Sequence, residues 1–275
     1  MDILTRSQSA KIRSSGTPQI VLKARNVVRR FGGVVALNNL DLDVVEGQIL
    51  GLIGPNGSGK TTFFNVLTGI YAADEGAISF LEKEITNLPA PQVFRSGIAR
   101  TFQRARVCLS LSVFDNIVLG DHPRLQQGLV FNLFRRSSFR REYEECVERV
   151  RELLEMFAPH LVAKMFEPVE TFPMIDRRRI EVCRALFSSP RLLLLDEPSA
   201  GMTHEETRLL VDEIVALRTK RHKLSIIIVE HEMDLISRIT DRCVVLNFGS
   251  KICEGTYDEI ASDRNVQEAY LGVEA

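Results

Sequence analysis

The chain has 275 residues, 45% of them hydrophobic, and its 35 basic and 36 acidic side chains leave a formal net charge of −1. This composition excludes a disordered chain and supplies the packed core of one large or two modest domains. The balanced charge gives no global attraction to nucleic acid or to anionic lipid, so composition alone identifies no partner.

We expect neither a membrane-spanning segment nor a secretion signal. The longest apolar runs, Leu192–Leu195 and Ile226–Val229, are far shorter than the roughly 20 residues needed to cross a bilayer. The N-terminal residues contain no apolar segment of signal-peptide length. The five cysteines include no C-x-x-C pair, which predicts reduced thiols in a cytosolic compartment. A membrane role is therefore expected to come through partner subunits.

The first elements in chain order are a tail and a small sheet. Residues 1–18 are rich in Ser, Arg, Lys and Thr and predict a disordered tail ahead of a single domain over residues 19–275. Short β-rich runs over residues 20–45 predict a small antiparallel sheet. Phe31 falls within these runs, just before Gly32-Gly33, where the chain must turn. Its ring is either part of the core or a surface on which a purine base stacks.

A phosphate-binding motif follows the short apolar strand at residues 49–53. Residues 54–61 match G-x-x-x-x-G-K-[ST] and lead into an amphipathic stretch that predicts a helix. Because glycine has no Cβ, the loop can bring backbone N–H groups close to phosphate oxygens, and the helix N-terminus favours the anion. Lys60 is expected to reach the β- and γ-phosphates, Thr61 to bind Mg²⁺ through its hydroxyl, and Thr62 to donate to phosphate. The predicted nucleotide-binding residues of this motif are Gly54, Pro55, Asn56, Gly57, Ser58, Gly59, Lys60, Thr61 and Thr62.

Helical periodicity dominates the middle of the chain. A strand-like stretch at residues 97–103 ends on Gln103, and residues 104–190 then place apolar side chains at i, i+3 and i+4 spacing. This pattern, which is clear over Glu142–Phe157, predicts a helical subdomain inserted into an α/β core. A basic and aromatic cluster at residues 131–141 is interpreted as a solvated helix face, with contact to a membrane partner as the alternative.

Two further apolar strands end in polar residues that suit phosphate chemistry. Leu192–Leu195 is followed by Asp196 and Glu197, and Ser225–Val229 is followed closely by His231. Fully apolar strands are typical of a parallel sheet that is buried on both faces, and ligands bind at the carboxyl ends of such strands. Asp196 is predicted to hold Mg²⁺ through water, Glu197 to polarise the attacking water, and His231 to reach the γ-phosphate.

The last predicted elements complete the fold. Residues 243–246 and 251–254 predict two strands, and Tyr257–Tyr270 predicts closing helices.

The order and spacing of Lys60, Gln103, Asp196-Glu197 and His231 resemble the nucleotide-binding subunit of an ABC (ATP-binding cassette) transporter, from Ile20 to the C-terminus. The resemblance implies a P-loop ABC ATPase core of α/β class, with a small antiparallel β-subdomain and a helical subdomain insert. It also implies ATP and Mg²⁺ as ligands, with residues 54–61 as the Walker A motif.

The same resemblance implies a role for individual residues. Phe31 would stack on adenine, and Gln103 would contact Mg²⁺ and move a loop that faces the permease. Asp196 would be the Walker B carboxylate, Glu197 the general base and His231 the γ-phosphate switch. Ser199–Met202 would form the loop that crosses to the partner subunit.

The subfamily can be narrowed from two regions. The insert that follows Asn116–Gly120 and the ending over residues 255–272 are similar to the ATPases of bacterial branched-chain amino acid uptake systems. That similarity implies two different ATPases beneath two integral membrane permeases, fed by a periplasmic solute-binding protein. The chain would then act at the cytoplasmic face of the inner membrane, held there by the permeases. Amino acids, amides and urea remain open as solutes.

One motif departs from the family pattern. The family signature, L-S-x-G-Q or close to it, should precede the helix at residues 177–186, but residues 172–176 read Phe-Pro-Met-Ile-Asp. In the family this segment binds the γ-phosphate of the ATP held by the opposite subunit. Pro173 has neither hydroxyl nor N–H, Ile175 adds a branched side chain and Asp176 adds a negative charge, all of which oppose phosphate binding. We therefore expect an asymmetric heterodimer with a second ABC ATPase that supplies a normal signature.

Two other functions are the alternatives. A regulatory or structural nucleotide-binding subunit with negligible ATPase activity would account for the altered signature, but it would have no chemical need for Glu197 and His231. A soluble ABC ATPase that acts on nucleic acid or ribosomes usually carries two cassettes and basic extensions, whereas this sequence has one phosphate-loop motif and a near-neutral charge. We expect no nucleic-acid partner.

Overall fold

The computed structural model describes residues 19–101, 107–124 and 136–271, apart from the side chains of 122–124 and 136–139. The predicted tail, Gln103 and residues 131–135 of the basic and aromatic cluster lie outside the described residues. None of the described helices is both long enough and apolar enough to cross a membrane.

Strands and helices alternate along most of the described chain. The strands are β1 (Ile20–Phe31), β2 (Val34–Val45), β3 (Ile49–Ile53), β4 (Glu75–Phe80), β5 (Lys83–Glu84), β6 (Ile98–Arg100), β7 (Leu192–Asp196), β8 (Ser225–Val229), β9 (Arg242–Asn247) and β10 (Ser250–Gly255). The helices are α1 (Lys60–Leu67), α2 (Ala90–Arg95), α3 (Val113–Val118), α4 (Arg136–Phe157), α5 (Met174–Phe187), α6 (His204–Lys220), α7 (Met233–Ile239), α8 (Tyr257–Ala261) and α9 (Arg264–Leu271). Three 3₁₀ segments cover Leu119–Arg124, Pro159–Lys164 and Val169–Thr171.

The predicted small antiparallel sheet is confirmed, with the strand order β2-β1-β4-β5. The short runs predicted over residues 20–45 form two strands of 12 residues each. They join through the two-residue turn Gly32-Gly33, so Phe31 pairs with Val34 at the tip of the hairpin. Register shifts along the pair interrupt the regular alternation of the sequence, which is why the runs look shorter than the strands.

The main sheet has the order β10-β9-β3-β8-β7-β6 and is parallel except for β10. Every residue of β3, β7 and β8 is buried, as their uninterrupted apolar sequences predict. Ile49 and Ile53 face the core formed with the helices, whereas Leu50 and Leu52 face the core formed with the antiparallel sheet. Because β3, β7 and β8 are parallel neighbours, their carboxyl ends meet at one edge, where the polar residues predicted from the sequence stand.

The described part of the region between β6 and β7 is mainly helical. Within the described part of residues 107–190, the only strand-like pairing is an isolated bridge between Ser112 and Pro168. The 22-residue helix α4 buries Val150 and Leu154 against α3 and α5. The helical insert is therefore confirmed as part of the fold, while its bounds as a subdomain stay a prediction.

Candidate active site

The phosphate loop connects β3 to α1, and its glycines occupy conformations that other residues avoid. Gly54, Gly57 and Gly59 have φ angles of 144°, 81° and 108°. A Cβ at Gly54 would lie 2.1 Å from the carbonyl oxygen of Leu246, so the loop passes directly against β9 at that point. A Cβ at Gly57 would meet nothing within 4 Å. The backbone at Gly57 thus faces open space, into which phosphate oxygens could approach.

Lys60 is folded into this loop. Its side chain is buried, and Nζ donates to the carbonyl oxygens of Gly54 at 2.7 Å and Pro55 at 2.9 Å, with Ser58 Oγ at 3.4 Å. Burial lowers the pKa of the Lys60 ammonium, and the negative charges of Glu197 and Asp196 raise it in part. Both carboxylates thus favour the charged form of the lysine.

The remaining residues of the motif divide by exposure. Asn56 and Thr61 are exposed, Pro55 and Thr62 are half-buried, and Ser58 is buried. Thr61 is the second residue of α1, so its side chain stands at the helix N-terminus beside the lysine. Thr61 and Thr62 thus directly follow the phosphate loop in the first turn of α1, as their predicted roles towards Mg²⁺ and phosphate require.

Asp196 ends β7 and is held by an arginine that the sequence analysis missed. Arg100 Nη2 donates to Asp196 Oδ2 at 2.6 Å, and the two side chains are 6% and 4% exposed. Arg100 is the last residue of β6, the strand next to β7, and the parallel pairing brings its position level with Leu194. In the sequence, the only sign of this ion pair is a basic residue near the end of one predicted strand and an acidic residue at the end of another. The order of the strands in the sheet is what makes the two residues neighbours.

Glu197 and His231 come together although 34 residues separate them in sequence. Glu197 Oε1 lies 2.8 Å from His231 Nε2. Glu197 has a φ angle of 48°, and its N–H donates to the carbonyl oxygen of Val229 at 2.9 Å. This uncommon backbone conformation turns the carboxylate away from the strand and towards the histidine.

A second carboxylate beside the histidine also escaped the sequence analysis. Glu230 is buried, and its Oε1 accepts from the N–H of Ser199 at 2.8 Å while Oε2 accepts from the N–H of His231 at 3.2 Å. Burial raises the pKa of Glu230, and the hydrogen bonds from Ser199 and His231 lower it in part. Glu230 therefore connects the loop that starts at Ser199 with the residue that faces Glu197.

Phe31 is a surface residue, which removes the alternative that its ring belongs to the core. The residue is 39% exposed. Its ring makes an edge contact with Tyr71, with centroids 5.2 Å apart, and the Arg29 guanidinium lies 4.6 Å from the ring centroid. An exposed aromatic ring fixed by two neighbours is a suitable surface for a base.

The altered signature begins α5, and the structure gives the surroundings of two of the three residues on which the sequence argument depends. Asp176 is buried, and its Oδ1 accepts from Arg179 Nη1 at 2.7 Å and lies 2.7 Å from His160 Nε2. Ile175 is buried as well. Both side chains therefore pack within this chain, and Arg179 pairs with the Asp176 carboxylate. Pro173 stands at the N-cap without a side-chain hydrogen bond to the helix, so the argument from Pro173 is unaffected.

The residues at this edge fit Mg·ATP better than a metal held by protein alone. In the described chain, no group of three or more His, Cys, Asp or Glu residues could cage a metal ion. Mg²⁺ usually keeps several waters and takes few protein oxygens together with phosphate oxygens. One hydroxyl at Thr61, one carboxylate at Asp196 and an open loop at Gly57 supply that incomplete shell. Gln103, the third predicted ligand, lies outside the described residues.

Comparison with known protein families gives two matches. The family described as ABC transporter matches residues 37–200. A second, described as branched-chain amino acid ATP-binding cassette transporter, matches residues 250–275.

Similar proteins cover almost the whole chain. The chain is 38% identical to the high-affinity branched-chain amino acid transport ATP-binding protein LivG of Salmonella typhimurium, over 92% of this chain and 98% of that protein. It is 36% identical to the protein BraF of Pseudomonas aeruginosa, which carries the same description, with the same coverage. Among solved structures, a nucleotide-free ATP-binding cassette from an ABC transporter superposes with a TM-score of 0.79 at 28% identity, over 93% of this chain and all of that one.

Proposed function

The chain belongs to the ABC transporter family of ATP-binding cassettes, and from that premise we propose that it is the ATP-hydrolysing subunit of a bacterial importer for branched-chain amino acids or related small solutes. The observation that carries the proposal is the Glu197–His231 pair at the strand ends that face Lys60. The relatives are described as high-affinity branched-chain amino acid transport proteins, which supports this class of solute.

The proposed binding mode follows from the loop geometry. The ammonium of Lys60 exchanges its carbonyl partners for the β- and γ-phosphates, and the N–H groups around Gly57 cradle the phosphate oxygens. Phe31 stacks on the adenine ring. Thr61, Asp196 and Gln103 would hold Mg²⁺, which would supply positive charge beside the phosphate oxygens.

The hydrolysis step is assigned to the paired side chains. Glu197 accepts a proton from the attacking water, and His231, whose Nε2 lies 2.8 Å from Glu197 Oε1, orients this carboxylate. We also assign to His231 the contact with the γ-phosphate oxygens, and its partly exposed ring leaves room for that contact. A side chain that touches both the base and the phosphate can report the presence of the γ-phosphate to the rest of the subunit.

The proposed assembly is an ATPase heterodimer with a second cassette, bound to two membrane permeases at the cytoplasmic face of the inner membrane. The periplasmic solute-binding protein acts on the far side and contacts this chain only through the permeases. Pro173 at the start of α5 supports the asymmetric form, since a proline gives the partner's ATP neither N–H nor hydroxyl. In this proposal the working site combines this chain's Glu197 with the partner's signature.

A regulatory nucleotide-binding subunit with negligible ATPase activity is the second candidate. The altered signature favours it, whereas the preformed Glu197–His231 pair favours catalysis in this chain. The two candidates differ in whether the assembled transporter still hydrolyses ATP when Glu197 of this chain is replaced.

The test measures ATP hydrolysis by this chain reconstituted with its partner ATPase and permeases in proteoliposomes. Glu197→Gln in this chain is compared with the equivalent change in the partner. If this chain houses the working site, its own variant abolishes turnover and the partner's variant has a mild effect. The opposite result assigns catalysis to the partner and makes this chain a regulatory clamp.

A further inference from the structure

We propose that Arg100 is a positioning residue for the magnesium site, which holds the Asp196 carboxylate in one orientation and ties it to helix α1. The inference deepens the proposed function, because it concerns the same ATP site and requires that the site bind Mg·ATP. It assigns a role to a side chain that belongs neither to the phosphate loop nor to the Glu197–His231 pair.

The first support is the ion pair itself. Arg100 Nη2 lies 2.6 Å from Asp196 Oδ2, and both side chains are almost wholly buried. Leaving a carboxylate buried without its partner destabilises a protein strongly, whereas a well-oriented pair offsets that cost. The arginine therefore offsets the cost of burying the carboxylate that is proposed to hold the metal.

The second support is that the same guanidinium reaches the helix behind the phosphate loop. Arg100 Nη1 donates to Asn65 Oδ1 at 2.8 Å and has Thr68 Oγ1 at 3.4 Å. The guanidinium carbon lies 5.2 Å from the centroid of the Phe64 ring, which limits its movement on one face. One planar group thus joins the end of β7 to α1, the helix that carries Lys60 and Thr61.

The geometry explains why an arginine suits this position. Its rigid fork presents separate N–H groups to Asp196 and to Asn65, whereas a lysine ammonium is a point charge without that fixed geometry. Because Arg100 engages Oδ2, the second carboxylate oxygen, Oδ1, is the one that we assign to a metal-bound water. A carboxylate fixed in advance loses less freedom when it binds, so the site takes up the cation at a lower concentration.

The experiment separates metal binding from nucleotide binding in the full chain. ATP affinity is measured by titration calorimetry in EDTA and then at increasing Mg²⁺, for wild type, Arg100→Met, Arg100→Lys and Asn65→Ala. Arg25→Met, which breaks an exposed ion pair with Asp43, is the matched control. Mn²⁺ in place of Mg²⁺ gives an independent readout, because its electron paramagnetic resonance spectrum reports the ligand shell.

Arg100→Met is expected to raise the half-saturating Mg²⁺ concentration about tenfold, which is roughly 1.4 kcal/mol, while the affinity measured in EDTA changes less than twofold. Arg100→Lys and Asn65→Ala, which each keep part of the contact set, should give smaller shifts in the same direction. The control should match wild type. The Mn²⁺ spectrum of the Arg100→Met complex should differ from that of wild type.

Two results would overturn the inference. Equal losses of ATP affinity with and without Mg²⁺ would mean that Arg100 only supports the fold, and an unchanged or lower half-saturating concentration would mean that it does not position Asp196 for the metal. If Arg100→Met fails to fold, Arg100→Lys and Asn65→Ala decide the question. A wild-type chain that binds no ATP even with Mg²⁺ would instead contradict the proposed function.

Discussion

Glu197 Oε1 and His231 Nε2 lie 2.8 Å apart at the ends of β7 and β8, so the proposed base is in direct contact with its proposed orienting group. Their backbones are coupled as well, since the N–H of Glu197 donates to Val229, the last residue of β8. The two side chains should therefore act as one unit in hydrolysis.

Glu197→Gln and His231→Ala are each expected to lower kcat of the reconstituted complex by about 100-fold or more, the usual range for a general base. The affinity of Glu197→Gln for ATP should change little, because this carboxylate is assigned to the attacking water. His231→Ala should also weaken ATP binding, because it removes the donor assigned to the γ-phosphate. The double variant should be little slower than either single variant, since residues that act as a unit are not additive. His204→Ala, on a fully exposed side chain, is the control. Fully multiplicative effects in steady-state kinetics would contradict the paired role.

Gly54→Ala is expected to destabilise the chain more than Gly57→Ala. Both positions have positive φ, which costs an alanine about 1–2 kcal/mol. At Gly54 the new Cβ also overlaps the carbonyl oxygen of Leu246, and overpacking of this kind adds about 1–3 kcal/mol. Urea unfolding of the ligand-free variants measures the difference. Equal losses of stability would show that the contact with β9 relaxes at no cost.

Phe31→Ala is expected to weaken ATP binding about tenfold, since stacking of a base on an aromatic ring contributes about 1–3 kcal/mol. The Tyr71 ring and the Arg29 guanidinium would remain, but neither replaces the exposed face of the Phe31 ring. Fluorescence or calorimetric titration of the variant gives the affinity. Phe166→Ala, which removes another exposed ring from the helical region, should leave it unchanged. Equal affinities for both variants would remove Phe31 from the base site.

Glu230→Gln tests a pH dependence. Burial raises the folded-state pKa of Glu230 above its ordinary value of about 4.3, so the folded chain holds this proton more tightly than the unfolded chain does. The resulting stabilisation is complete below the ordinary pKa and is lost as the pH rises through the raised one. The free energy of unfolding of wild type, relative to Glu230→Gln, should therefore fall as the pH rises through this window.

Urea unfolding at a series of pH values measures that difference, with Glu84→Gln on exposed strand β5 as the control for loss of one carboxylate. A difference that stays level or increases with pH would contradict the prediction.

Pro173→Ser tests whether the proline in the altered signature limits ATP turnover at the partner's nucleotide. Pro173 occupies the N-cap of α5 in an extended conformation that serine also adopts, and a serine N-cap stabilises a helix by about 1 kcal/mol over a residue that cannot cap. In a complex that carries Glu197→Gln in this chain, the change should raise the residual ATP turnover at the partner's nucleotide. Pro173→Ala, which restores the N–H without the hydroxyl, is the matched control. No gain in turnover with Pro173→Ser would mean that Pro173 does not limit the second site.

The sequence by itself determined the phosphate loop, the apolar strands and the acidic strand ends. These features depend on local chemistry: glycines without Cβ at residues 54–59, four-residue apolar runs in β7 and β8, and helical spacing over Glu142–Phe157. Each follows from the conformations open to a short stretch of chain, so a linear sequence contains the necessary information.

Only the tertiary structure decided which distant residues meet. Arg100 reaches Asp196 because β6 lies beside β7, and Glu230 reaches Ser199 because the ends of β7 and β8 are adjacent. The environment of Asp176 was likewise decided by packing. The sequence led us to expect this carboxylate to oppose phosphate binding, whereas in the structure it is buried against His160 and Arg179. These pairings depend on strand order and helix packing between segments far apart in sequence, which no local pattern specifies.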